Sequence, residues 1–143
     1  MKKYFLFLIV SSAILFSCNS NDAKSDQENY ELLKENLLKK EQETPQNFLI
    51  ISGNNKMNLL GQTVVKGTIT NKASVATFKD AEIKLSFYSK TKALLETDKE
   101  TVFEQLAPGE SKHFKTKYFA PKGTDSVALE VLSAKAVSTA ETQ

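Results

Sequence analysis

The sequence lacks the residues on which most active sites depend. Its 143 residues include no tryptophan, one histidine and one cysteine, and all of its 19 basic residues are lysines. Without arginine, the chain cannot build the planar, bidentate clamps that hold phosphates and carboxylates. One histidine gives a metal no second imidazole, and one cysteine allows no internal disulfide. We therefore predict that the protein is not an enzyme and has no cofactor and no bound metal.

The few polar residues that suggest chemistry each have a simpler explanation. His113 lies between a lysine and a phenylalanine on a predicted strand, and without a second ligand it is interpreted as a surface histidine. Asp98 and Glu100 fall on one side of a strand and could form a weak Ca²⁺ site or a glycosidase-like pair. The lysine between them favours a solvated edge, and Asp80 and Glu82 are interpreted in the same way.

Charge is nearly balanced, with 19 lysines against 17 acidic residues. The lysines form no clustered basic stretch of the kind that marks a nucleic-acid-binding face, so we predict no nucleic-acid partner. The loss of Lys2 and Lys3 with a signal segment would leave as many lysines as acidic residues.

The start of the chain has the three parts of a secretory signal. Met1-Lys2-Lys3 is positively charged, residues 4–16 are almost all apolar, and the small Ser17 stands directly before Cys18. The apolar run is shorter than the roughly 20 residues of a membrane-spanning helix. These features predict a signal peptide at residues 1–17. The alternative is an uncleaved anchor with an incidental cysteine.

The same segment resembles the signal peptide and lipobox of bacterial lipoproteins. Leu15 and Ser17 occupy the preferred positions three and one before the cysteine, whereas Phe16 is bulkier than usual there. The resemblance implies that Cys18 is lipidated, with acyl chains such as palmitate, and that a membrane is therefore a partner. Two or more acyl chains make such an anchor durable. Because no aspartate follows the cysteine, we expect the outer membrane of the cell envelope.

Residues 18–44 are predicted to form a lipid-anchored linker and one short amphipathic helix. Asn19–Asn29 has no aliphatic side chain larger than alanine, so it is interpreted as a flexible linker. From about Glu28 to Glu43, leucines recur at helical spacing, with acids early and lysines late, until Pro45 ends the pattern. The leucine stripe is expected to pack on the next domain, or on nothing in particular. The alternative is a partner-binding or self-pairing helix.

Residues 45–137 have the alternation of an antiparallel β sandwich, and residues 138–143 are a polar tail. In Ala81–Tyr88, every second residue is apolar, which predicts one buried and one wet face. Seven or so short strands separated by turn signals predict an all-β fold. The predicted strands are 47–51, 58–71, 81–88, 94–103, 112–119 and 126–136, with turns at 53–56, 89–92, 107–110 and 121–125. The predicted core is Phe48, Val65, Ile69, Ile83, Leu85, Phe87, Leu106, Phe114, Val127, Leu129 and Val131.

Three motifs in this domain resemble FxLYD-type domains. They are the opening V-K-G-T-I-T-N at residues 65–71, the aromatic strand at 83–88 and the corner L-A-P-G-E-S at 106–111, in the expected order. After the aromatic strand, Ser89-Lys90 replaces the usual acidic residue. The resemblance covers about residues 58–132. It implies an immunoglobulin-like sandwich without established catalytic residues, and the overall layout resembles small lipoproteins of Bacteroidota.

Aromatic residues on the later strands give the one positive sign of a binding site. Ordinary cross-strand pairing explains them. The alternative is an aromatic-and-lysine face formed by Lys84, Tyr88, Lys90 and Tyr118, which would bind an envelope protein or a glycan. We predict a membrane-anchored, non-catalytic binding or accessory module of the bacterial envelope. A structural subunit of a larger envelope complex is the alternative, and an envelope enzyme is the least favoured.

Overall fold

One helix leads into six strands in the computed structural model, which describes residues 20–137 and the side chains from residue 26 onward. The predicted signal peptide, Cys18 and the polar tail lie outside the described residues. Helix α1 covers Ser20–Glu43, and a short 3-10 helix covers Pro45–Asn47. The strands are β1 Leu49–Met57, β2 Thr63–Asn71, β3 Phe78–Ser89, β4 Leu94–Val102, β5 Ser111–Tyr118 and β6 Thr124–Ala136.

The strands form two antiparallel sheets with a shared core. Sheet A has the order β1-β2-β5, and sheet B has the order β4-β3-β6. Val65 and Ile69 of sheet A and Ile83 and Leu85 of sheet B are at most 1% exposed. Their alternation with solvent-facing residues produces the inner face of each sheet. The predicted all-β antiparallel sandwich is confirmed, with six strands in the described part of the chain.

Most of the predicted core residues are buried. The prediction missed Phe78, the first core residue of sheet B. Asp80 has a φ of +51°, and the register between β3 and β6 shifts at this point. This bulge lets Phe78 and Ala81 both face the core although they are three residues apart, which hides Phe78 from a period-two pattern. Phe48, Phe114, Val127 and Leu129 are only partly buried. The buried apolar residues that were not predicted are Leu49, Ala73, Ala76, Phe78, Ala81 and Val102.

The predicted turn at Gly53–Lys56 is wrong, because β1 continues through it. Gly53 pairs with Gly67 of β2, and the next residues extend the same ladder to Met57. The ladder gives hydrogen-bond partners to the backbone N–H and C=O groups of these residues, although their sequence is typical of a turn. The chain turns instead at residues 58–62, where the Oδ1 atom of Asn58 accepts the N–H groups of Leu60 and Gln62, both at 2.9 Å.

Gly67 is a position where another side chain packs close, as predicted. A Cβ atom built on Gly67 would lie 2.3 Å from the Cζ atom of Phe114. The missing side chain therefore makes room for the Phe114 ring on the inner side of sheet A.

The helix begins at Ser20, so the prediction of a flexible linker is wrong from that residue onward. Residues 20–29 contain no glycine, proline or β-branched residue. Their polarity prevents them from forming a core, but it does not prevent a helix, particularly with acidic residues near the N-terminus. The helix ends at Glu43, before Pro45, as predicted. No helix within residues 20–137 is long and apolar enough to cross a membrane.

Only a small part of the leucine stripe reaches the sandwich. Leu38 packs against the core, whereas Tyr30 and Leu33 are 62% and 69% exposed. The expected packing of the stripe on the domain is therefore limited to its C-terminal part. A polar contact holds the same part of the helix.

Glu41 attaches the helix to the loop between β2 and β3. Its side chain is 1% exposed, and its carboxylate accepts the backbone N–H groups of Ser74, Val75 and Ala76 at 2.7, 2.9 and 2.8 Å. Burial by itself raises the pKa of Glu41, but the three N–H donors together outweigh burial and hold that pKa below its ordinary value. Nothing in the sequence distinguishes Glu41 from the other glutamates of α1.

Asn71 hydrogen-bonds to further backbone groups of the same loop. Its Oδ1 atom accepts the N–H of Ala73 at 2.9 Å, and its Nδ2 atom donates to the carbonyls of Ala76 and Leu106 at 2.8 and 3.0 Å. Its backbone carbonyl accepts the N–H of Gly109 at 2.9 Å. Two buried side chains, Glu41 and Asn71, thus accept the four consecutive N–H groups of Ala73–Ala76, and Asn71 also ties this loop to the Pro108-Gly109 corner.

Replacement of Glu41 by glutamine should destabilise the fold. The amide keeps the size of the side chain but replaces one acceptor oxygen by a donor that faces N–H groups, so we expect a loss of about 1–3 kcal/mol in the free energy of unfolding. Denaturant titration of the full chain measures this loss. Glu43→Gln, on the exposed side of the same turn, is the matched control and should change stability little.

The Glu41 contribution should also depend on pH. Because the folded state lowers the pKa of Glu41, the stabilisation is present above the unfolded pKa of about 4.3 and is lost as the pH falls through the lower folded value. The difference between native chain and Glu41→Gln should therefore shrink below about pH 4. A difference that stays constant down to pH 2 would contradict this account.

Candidate functional site

The outer face of sheet A carries lysines and no carboxylate. Lys56 of β1, Lys66 of β2, and Lys115 and Lys117 of β5 all point away from the core and are exposed. The strand register places Lys66 beside Lys115, and His113 lies in the next row of the sheet. We call these five residues the lysine face. Aspartate and glutamate are absent from the outward positions of these three strands.

The outer face of sheet B, in contrast, pairs its charges. Lys84 contacts Glu130, the Nζ atom of Lys99 lies 2.7 Å from Glu82, and that of Lys135 lies 3.0 Å from Asp80. Exposed pairs of this kind add little stability, but they cancel local charge. Of the two outer faces, sheet A is therefore the one with uncompensated positive charge.

A shallow groove crosses the lysine face. It is lined by residues of three neighbouring strands, which include Asn54 of β1, Lys66 and Thr68 of β2, and His113 and Lys115 of β5. The Oγ1 atom of Thr68 and the Nδ1 atom of His113 are 2.8 Å apart, which orients the imidazole ring. A ligand in the groove would therefore meet two ammonium groups and the Nε2 side of the ring.

The composition of the groove suits an anionic ligand. Lysine acts as a compact point charge with three donors, and it binds phosphate or carboxylate oxygens without the fixed geometry of arginine. No carboxylate on the face competes for these ammonium groups. The groove therefore offers an anionic ligand electrostatic attraction from its lysines and hydrogen bonding from its lysines and His113.

The sequence contained a partial sign of the lysine face. His113, Lys115 and Lys117 occur at every second position of a strand, which places them on one side. The contribution of Lys66 could not be read from the sequence, since it depends on the pairing of β2 with β5.

The residues of the predicted aromatic-and-lysine face do not all lie together. Lys84 and Tyr88 share the outer side of β3, and Lys90 is exposed in the turn that follows. Tyr118 lies in the other sheet, where its ring makes an edge-on contact with Phe87, with 5.8 Å between the ring centroids. Ligand binding by any of the four residues stays a prediction.

Glu100 of β4 joins sheet B to β5, the edge strand of sheet A. Its Oε2 atom accepts the Tyr118 hydroxyl at 2.6 Å and the Thr116 hydroxyl at 3.1 Å. Burial raises the pKa of Tyr118, and the hydrogen bond to Glu100 raises it further, so the hydroxyl remains a donor. Asp98, its predicted partner in a Ca²⁺ or glycosidase-like pair, is exposed and accepts the neighbouring N–H of Lys99 at 2.8 Å. Glu100 therefore has a structural role at this edge.

Comparison with known proteins assigns no family. No protein-family model and no curated protein matches the chain. A solved DUF1425 family member from Shewanella sp. pv-4 is 18% identical, with 64% of this chain and 81% of that chain covered and a TM-score of 0.40. The Salmonella enterica trimeric lipoprotein SadB is 13% identical, with coverages of 77% and 84% and a TM-score of 0.42. The resemblance to FxLYD-type domains stays a prediction.

Proposed function

We propose that this protein is a lipid-anchored, non-catalytic binding module of the bacterial cell envelope and that its ligand is anionic. The lysine face is the observation that supports this proposal. It presents four exposed lysines without a carboxylate, while the lysines of sheet B are paired. An anionic glycan or an acidic protein surface of the envelope has the complementary charge.

The N-terminal sequence and the helix support the anchor. In this proposal, Cys18 carries the acyl chains, and α1 starts two residues later, at Ser20. A helix of 24 residues is about 36 Å long at 1.5 Å per residue, so it serves as a spacer between the lipid and the sandwich. The Glu41 contact then keeps this spacer attached to the domain. The outer membrane and an FxLYD-type immunoglobulin-like domain belong to the same proposal.

A structural subunit of an envelope complex is the second candidate. The observation in its favour is the apolar stripe of α1, where Tyr30, Leu32 and Leu33 are each more than half exposed. A partner helix that covers this stripe would bury them. In that case the protein should purify in equal amounts with its complex.

The anchor is tested by metabolic labelling with an alkyne analogue of palmitate. The native chain should carry the label and fractionate with membranes, whereas Cys18→Ala should lose the label because the only thiol is gone. An outer-membrane position predicts enrichment in the outer-membrane fraction. A labelled Cys18→Ala variant, or an unlabelled native chain, would contradict the lipid anchor.

The lysine face is tested with polyphosphate as a defined anionic probe. Titration calorimetry of the full chain in neutral detergent should show salt-sensitive binding that the double variant Lys66→Gln/Lys115→Gln weakens about tenfold, or about 1.4 kcal/mol. The matched control is Lys84→Gln/Lys99→Gln, which removes the same charge from sheet B and should bind as the native chain does. Equal weakening in both variants would show that net charge, and not the lysine face, attracts the probe.

A further inference from the structure

Three loops meet at the end of the sandwich that lies opposite α1. They are residues 58–62 between β1 and β2, residues 90–93 between β3 and β4, and residues 119–123 between β5 and β6. Pairing of Thr63 with Tyr118 and of Ser89 with Thr124 brings neighbouring loops together. The N–H of Val127 donates to Asn55 at 3.3 Å and joins the two sheets at this end. We call these three loops and their adjoining residues the loop end.

Large apolar side chains are exposed around the loop end. Leu59 and Leu60 of the first loop are 106% and 79% exposed, and Phe119 of the third loop is 80% exposed. Leu94, directly after the second loop, is 56% exposed. Apolar side chains gathered at one end of a domain mark an interaction site. They project from separate loops, and Leu59 also borders a pocket that Met57 and Val64 line. Side chains that project from several loop tips suit insertion into a layer.

Lysines surround these apolar side chains. Lys90, Lys92 and Lys122 lie in the loops, Lys56 and Lys117 lie on the adjoining strands, and all five are exposed. None of them forms an ion pair within the described part of the chain. The three loops contain no acidic residue, and the nearest carboxylates along the chain are Glu96 and Asp125. The loop end is therefore both apolar and positively charged.

We propose that the loop end docks on an anionic lipid surface. Leucine and phenylalanine side chains at the loop tips enter the boundary between head groups and acyl chains, and the surrounding lysines meet the lipid phosphates. A hydrated anionic polymer would satisfy the lysines but would leave the apolar tips in water, so charge and apolarity together select a membrane. The proposal depends on neither the Cys18 anchor nor the ligand of the lysine face.

A fluorescent label at the loop end tests this proposal in the full-length chain. Cys18→Ser/Leu59→Cys carries an environment-sensitive fluorophore, and the chain is mixed with preformed vesicles of phosphatidylcholine or phosphatidylglycerol. We expect a blue shift and quenching by a lipid-attached quencher only with phosphatidylglycerol, and a loss of both at high salt. The reference label at Gln105, exposed at the opposite end, should show neither change.

Two triple variants determine whether the loop-end lysines are responsible. Lys90→Gln/Lys92→Gln/Lys122→Gln should abolish the shift, whereas Lys84→Gln/Lys99→Gln/Lys135→Gln removes the same charge from sheet B and should keep it. Lys66→Gln/Lys115→Gln should keep it too, which separates the loop end from the groove of the lysine face, although Lys56 and Lys117 border both surfaces. Thermal unfolding checks that each variant is folded. Equal shifts in both lipids, no shift with phosphatidylglycerol, or a shift that survives loss of the loop-end lysines would overturn the proposal, and the second result would point to a protein partner.

Discussion

The carboxylate of Glu41 accepts three consecutive backbone N–H groups of the β2–β3 loop, and the position of the helix depends on this contact. Leu38 is the one residue of the apolar stripe that reaches the core, so burial alone gives the helix little attachment. A buried carboxylate is costly unless its oxygens are bonded, and buried N–H groups are costly unless they find an acceptor. Each side therefore depends on the other, and loss of either leaves an unsatisfied group.

This contact gives the molecule two distinct ends. The helix, the β2–β3 loop and the Pro108-Gly109 corner are joined at one end through Glu41 and Asn71. The opposite end has loops with exposed leucines, phenylalanine and lysines. The lysine face extends along sheet A between them. Hydrogen bonds from buried polar side chains thus hold together the end near the helix. The surfaces that remain available for binding have unpaired lysines and exposed apolar side chains.

The strands could be predicted from the sequence where alternation was unbroken, as in Ala81–Tyr88. Prediction failed where pairing overrode local propensity, as in Gly53–Lys56, and where the bulge at Asp80 concealed Phe78. The start of the helix could not be predicted from polarity, because polar composition alone indicates a flexible linker, although nothing in residues 20–29 breaks a helix.

The candidate site was harder to predict, for a related reason. Glu41 is one of several glutamates in α1, and its partners are backbone N–H groups that leave no signature in the sequence. Lys115 and Lys117 are two residues apart in a strand, so the sequence predicts that they lie on the same side. Lys66 joins them only through the pairing of β2 with β5. The predicted grouping of Tyr118 with Tyr88 assumed one continuous face, whereas the two tyrosines belong to different sheets.

The most direct test of this account is the distance distribution between the helix and the sandwich. Spin labels on the full chain at Glu28→Cys in α1 and Thr91→Cys in the loop end, in a Cys18→Ser background, report it by double electron–electron resonance. We predict one narrow distribution that broadens when Glu41→Gln is added and stays narrow with Glu43→Gln. A broad distribution in the chain that retains Glu41, or no broadening on its replacement, would contradict the claim that this carboxylate holds the helix in place.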